Sequence, residues 1–162
     1  MLLAVSAFAQ GAKPTSPAET ASVELKSGSI TVKYAAPSMR GRKVMGELVP
    51  YGKVWRTGAN EATTFATNTA LKIGGTTVPA GTYTLFTLPS GNQWLLIINK
   101  QTGQWGLEYH QEQDLARIPM KSAKLASPQE QMSISFENTS GNSTELHVKW
   151  ENTDASIAIT AQ

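Results

Sequence analysis

Five cations crowd one short stretch of this chain. Arg40, Arg42, Lys43, Lys53 and Arg56 fall within 17 residues and hold five of the 14 Lys and Arg in the sequence, while Glu47 and Glu61 are the only acids from Arg40 to Glu61. A guanidinium presents a planar fork of donors that clasps a carboxylate or phosphate through two parallel bonds. Trp55, Tyr34 and Tyr51 stand near these cations, so the stretch could build an anion pocket with aromatic walls, suited to a carboxylate, a phosphate or an acidic sugar. The candidate ligand-binding residues are Arg40, Arg42, Lys53, Trp55, Arg56, Asn60 and Glu61. Two plainer uses of the same side chains stay open. Arg56, Asn60 and Glu61 could tie a long loop to the sheet, and the cations could form a solvated rim with their stems laid along apolar surface.

Catalytic chemistry has thinner support. A hydrolase needs a poised nucleophile or two carboxylates at a set separation, and Glu61 with Glu108 or Asp114 is the pairing on offer. His110 neighbours Glu108, Glu112 and Asp114, but the group lacks the i,i+4 spacing of a zinc helix and the oxygen pattern of a calcium loop, so no metal or cofactor is expected. His147 falls between Leu146 and Val148 and is expected to face away from them, towards solvent or another layer. No serine sits in a nucleophile-elbow setting, and the absence of cysteine removes thiol chemistry and thiolate metal sites. Trp94, Trp105 and Trp150 read as core residues; two of them exposed on one face would instead make a carbohydrate platform.

The elements that must hold these residues are strands. "ASVELK" and "SITVKYA" flank Ser27-Gly28 as an opening hairpin, and "TTFATN" and "ALKIG" lead to Gly74-Gly75, a pair suited to a tight primed turn. "TYTLFTLP" and "QWLLIIN" follow, the latter with Leu95 to Ile98 apolar on both faces and therefore a central strand. "DLARIPMK" is expected to reach an edge or bulge at Pro119. Met132, Ile134 and Phe136, then Leu146, Val148 and Trp150, then Ile157 and Ile159, each line one face of a late strand. Arg42 to Val49 could wind through a single helical turn, and nothing longer has a helical stripe. Nine or ten strands with glycine-rich turns predict an all-β, single-domain antiparallel β-sandwich, jelly-roll-like, with a closed barrel as the alternative.

Length and composition bound the rest. At 162 residues the chain can bury one real core without a metal or disulfide. Charged residues are only 16%, so Ser, Thr, Asn and Gln must build much of the surface, a common look for an exported β protein. A net charge of +2 without a dense basic face argues against nucleic acid as partner. "MLLAVSAFAQ" reads as the remnant of an export signal over residues 1–9, with small residues at Ala7 and Ala9 and cleavage before Gln10. Residues 10–21 read as a flexible leader and residues 22–162 as the domain, in the periplasm or outside the cell. No other segment approaches the ~18 apolar residues of a membrane-crossing helix.

The blocks "YAAPSMRGRKVMGELVPYGKVWRTGANEATTF", "LKIGGTTVPAGTYTLFTLP", "WLLIINK" and "QWG" together resemble the exported bacterial family known as domain of unknown function 2911. The likeness spans about residues 22–160, and it implies β architecture and export while supplying no activity or catalytic residue. Lys53, Trp55, Arg56, Thr57, Gly58, Asn60 and Glu61 match its central motif, and Gly41, Arg42 and Lys43 match its Gly-Arg-Lys step. Ala36 departs from it, standing where relatives commonly carry an arginine before the proline; Arg40 could partly replace that charge. The residues favour non-catalytic binding of a small anionic or polar ligand, with no cofactor. A periplasmic hydrolase or carbohydrate-active enzyme, and a carbohydrate-binding or structural module, are the alternatives.

Overall fold

A computed structural model describes residues 16–162. The export-signal reading of residues 1–9 lies outside the described residues, as does the leader up to residue 15. Nine strands follow: β1 (Ala18–Leu25), β2 (Gly28–Ala35), β3 (Thr64–Thr67), β4 (Leu71–Ile73), β5 (Thr76–Val78), β6 (Gly81–Leu88), β7 (Trp94–Asn99), β8 (Asp114–Ser140) and β9 (Ser143–Ala161). They pair antiparallel throughout, in the order β1-β2-β3-β6-β7-β8-β9-β4-β5, and the sheet does not close into a barrel.

One long strand makes this single sheet into two layers. The first part of β8, through Met120, pairs with β7, and from Lys121 onward it pairs with β9. The first layer is therefore β1-β2-β3-β6-β7 with the start of β8, and the second is the rest of β8 with β9, β4 and β5. Pro119 stands where β8 pairs only with β7, at an edge that needs no second amide donor. The far corner is closed by main chain: Met132 donates its N–H to the Pro37 carbonyl at 2.8 Å and Met39 to the Glu130 carbonyl at 2.8 Å.

The core lies between the layers, as period-two alternation demands. Val32, Phe65, Leu85, Leu96 and Ile98 face Met132, Ile134, Leu146, Val148 and Trp150, all buried. Trimming any one of the larger of these to alanine costs about 2–5 kcal/mol by lost transfer energy and the cavity left behind. Along β9 the buried positions switch from even (Leu146, Val148, Trp150) to odd (Ala155, Ile157, Ile159). The switch falls at Glu151, at φ 54°, where the β8–β9 ladder shifts register on both sides; the extra residues of this irregularity lie on β8, between Lys124 and Ser133. Gly74 and Gly75, at φ 54° and 89°, make the expected two-residue turn between β4 and β5.

The outer face of the first layer is also covered. Phe86 and Ile97, paired across β6 and β7, are buried on it, outside the main core. Residues 54–61 cover part of it, with Trp55 and Thr87 exchanging two main-chain bonds at 2.8 and 3.0 Å. Residues 100–110 cover more, anchored by Asn99, whose amide donates to the His110 carbonyl at 3.0 Å and to Asp114 Oδ1 at 2.9 Å.

Several details differ from the sequence reading. β1 begins at Ala18, ahead of Ser22, because Ala18 to Ala21 pair with Val32 to Ala35. The separate strands expected from Asp114 and Gln131 are one element, as are those expected over Thr144–Trp150 and Ala155–Thr160. Arg42 to Val49 forms turns without α-helix, and the sole helical element among the described residues is a 3-10 turn at Gln111–Gln113. His147 is buried on the outer face of the second layer and does not meet solvent freely. Trp94 and Trp150 are each 1% exposed, so only Trp105 of the three could present a face to a sugar.

Candidate functional site

The Trp-Arg segment is held in an unfavourable backbone shape. Thr57 sits at φ 55°, a left-handed value that a β-branched side chain resists, at a cost of order 1–3 kcal/mol. It is fully buried there by three contacts: its Oγ1 lies 2.9 Å from Thr87 Oγ1 and 3.1 Å from the Trp55 carbonyl, and Thr63 Oγ1 donates to the Thr57 carbonyl at 2.9 Å. Trp55 is the anchor. Its ring stacks on Trp150 at 6.0 Å between centroids and meets Trp94 edge-on at 6.1 Å. With Trp55 turned inward, Arg56 is directed to the other side of the segment.

Arg56 spends part of its guanidinium on the protein itself. Nε donates to the Gly58 carbonyl at 3.2 Å and one terminal nitrogen, Nη1, to the Asn60 carbonyl at 3.3 Å. Nη2 has no partner among the described residues, and Glu61 is not its mate. Burial lowers the Arg56 pKa from its ordinary value, which still leaves the group charged. Gly106 presses on this turn: a Cβ there would come within 2.5 Å of the Asn60 carbonyl oxygen and 2.8 Å of Arg56 Cδ. Only glycine lets the 100–110 segment lie so close.

Beside Arg56 opens a cavity of about 460 Å³. Arg40, Arg42 and Arg56 all line it, with Trp55, Phe86 and Tyr109 as aromatic walls. Arg42 folds back to donate to the Met39 and Ser38 carbonyls at 2.9 and 2.8 Å. The Arg40 guanidinium makes no hydrogen bond or ion pair among the described residues; its main chain, at φ 52°, donates to Glu130 Oε1 at 3.0 Å. The loop bearing both arginines is clamped from below, since the Glu151 carboxylate accepts the N–H groups of Val44 at 2.6 Å and Met45 at 3.2 Å. No Asp, Glu or His lines the cavity among the described residues. Such a lining can hold an anion and supplies no carboxylate or imidazole for proton transfer.

Tyr109 is fixed by a network of its own. Its hydroxyl donates to Asp114, and Arg117 donates to the Tyr109 oxygen at 2.8 Å and to Asp114 at 2.9 Å. Burial raises the Tyr109 pKa and the Asp114 bond adds to this, against the opposing effect of Arg117, so the phenol stays protonated. Its ring lies edge-on to Phe86 at 4.9 Å.

Of the residues expected at the site, Arg40, Arg42, Trp55, Arg56 and Asn60 come together around one cavity. Lys53 stands exposed in a turn away from the lining, and Glu61 faces a neighbouring hollow, its main chain bridged to that of Trp105. Ala36 is a buried methyl whose N–H donates to the Pro17 carbonyl, while Arg40 reaches the lining. Sequence reasoning missed Phe86, Gly106, Tyr109 and Trp150. The signal for Phe86 was there, in a strand apolar on both faces, which implies that something covers its outer side.

A second charged cluster sits on the outer face of the second layer. His147 Nδ1 is 2.8 Å from Asp154 Oδ1, and Lys149 Nζ is 2.8 Å from Glu137 Oε2. Glu137 and Glu145 also flank the imidazole at 3.8 and 3.4 Å. No described helix is long and apolar enough to cross a membrane.

No curated protein and no solved structure matches this chain. A family model does match it, over residues 16–159, which takes in all the residues of the arginine cavity and all of the strands but the last two residues of β9. The chain thus belongs to the family described as Protein of unknown function (DUF2911).

Proposed function

We propose that this exported domain is a non-catalytic binding module of the periplasm or extracellular space, and that it takes a small anionic or polar ligand in the arginine cavity. The observation that carries this reading is an imbalance of charge: three guanidinium groups line a cavity of about 460 Å³ that no described carboxylate enters. Cations gathered without counterions repel one another, and an anion that clasps them relieves the repulsion while the aromatic walls exclude water. A purely architectural role for the segment would consume the guanidinium internally and leave no hollow. Arg56 is half consumed, and the hollow is present. A hydrolase would need paired carboxylates or a histidine beside the cavity, and the described lining offers neither.

Thermal-shift measurements with citrate, inorganic phosphate and uronic acids test the proposal, run on the native protein and on Arg56→Ala. The native protein is expected to melt higher with at least one of these anions, and the variant to lose that rise. Arg56→Ala also loses two hydrogen bonds to carbonyls, so its own stability falls by about 1–3 kcal/mol. An equal ligand-induced rise in both proteins removes Arg56 from the binding site.

A further inference from the structure

Beside the arginine cavity lies a second hollow of about 510 Å³, and Ser16 and Asn60 line both. The floor of this hollow is the outer face of the first three strands. Thr20, Lys33 and Thr64 stand in one row across β1, β2 and β3, with the paired Ala18 and Ala35 as a flat step beside them. Trp105 stands at its wall, 52% exposed, held by the main-chain bridge to Glu61. Neither Lys33 nor Glu61 is in an ion pair among the described residues.

Resting on the reading that the arginine cavity takes an anion, we infer that the two hollows form one trough for an acidic saccharide of two or more sugar rings. The second hollow supplies stacking, hydrogen-bonding and one cationic group for such a chain, beside the carboxylates of Glu19 and Glu61. An exposed indole beside small side chains accepts the C–H face of a sugar ring. Threonine hydroxyls, the Asn60 amide and the Glu61 carboxylate offer donors and acceptors for ring hydroxyls. Lys33, standing apart from the three arginines, supplies a further cation for the next acidic group along a chain. Other occupants fit less well. An extended peptide would seek the free edge of β1, the outermost strand, and not the outer face that floors this hollow. A fatty tail would have to desolvate Lys33 and Glu61.

Titration calorimetry with galacturonic, glucuronic and mannuronic acids, each as monomer and as linked trimer, tests the trough. Maltotriose serves as a neutral chain, and citrate and phosphate as anions without a ring. At least one uronate trimer is expected to bind about tenfold tighter than its monomer, a gain that is 1.4 kcal/mol by the affinity relation. Trp105→Ala should erase that gain and leave monomer binding unchanged, Trp105→Phe should keep most of it, and maltotriose should bind at least about tenfold more weakly than the trimer. The trough is overturned if no trimer binds more tightly than its monomer, or if the gain survives Trp105→Ala. Arg56-dependent binding of citrate or phosphate with no saccharide binding also overturns it, and leaves the anion site standing. Absence of binding by every anion tested removes the anion site and the trough together.

Discussion

Two clusters of charge occupy opposite parts of this molecule, and they are built on different terms. On the outer face of the second layer the charged groups have partners: Lys149 is paired with Glu137, and His147 Nδ1 is bonded to Asp154. Around the arginine cavity no cation has a carboxylate partner among the described residues. Arg42 is bound to main-chain carbonyls, Arg56 partly so, and Arg40 to nothing with its side chain among the described residues. Matched pairs hold a sheet together and leave little for a visitor. Guanidinium groups without a carboxylate partner keep their attraction for something outside the chain.

Removing one member from each cluster separates these roles. His147→Ala is expected to have the largest effect on stability, about 1.5–3 kcal/mol in urea denaturation, because Asp154 loses its partner under partial burial. Anion binding at the other cluster should be unchanged by it. A loss near zero would class the His147 cluster with ordinary solvated surface.

Acid acts on the same cluster more gently. The Lys149 hydrogen bond holds the Glu137 carboxyl below its ordinary range, helped by Ser135 and the charge on His147 and opposed by burial. A carboxyl with a depressed folded pKa stabilises the fold above the ordinary carboxylate range, and that contribution is lost as pH falls through the folded value. Glu137 is more than a third exposed, so solvent screening limits the contribution to about 1 kcal/mol at most. Glu137→Gln should flatten that part of the stability profile on the acid side; an unchanged profile would show that the pair does not couple to folding.

Arg40→Ala should have the smallest effect on stability, within about 0.5 kcal/mol, since no internal bond to its side chain is lost. The same substitution should weaken the citrate- or phosphate-induced rise in melting temperature. If it destabilises the free protein as much as His147→Ala does, the contrast between the clusters fails.

The strands were largely readable from residue pattern because burial imposes it directly. The runs at Met132, Leu146 and Ile157 alternate as half-buried strands must, and Gly74-Gly75 marks its turn through backbone freedom that other residues lack. The irregularity at Glu151 was hidden, since a glutamate at positive φ has no signature in the sequence and is held there by its bonds to Val44 and Met45. The cluster of arginines was visible as composition. Their convergence with Phe86 and Tyr109 was not, because residues 100–110 have no periodicity, and their path over the sheet depends on distant contacts such as Gly106 against Asn60. Lys53 lies outside the lining, since proximity along a turn-rich segment need not become proximity in space, whereas Glu61 lines the neighbouring hollow.

The Glu151 clamp ties the rim of the cavity to the middle of the longest hairpin. Its carboxylate grips the loop that carries Arg40 and Arg42 from the very residue at which β9 reverses its faces. Through these two bonds the position of the arginine-bearing loop depends on the shape of the hairpin at Glu151. The mouth of the cavity is thereby tied to the sheet beneath it.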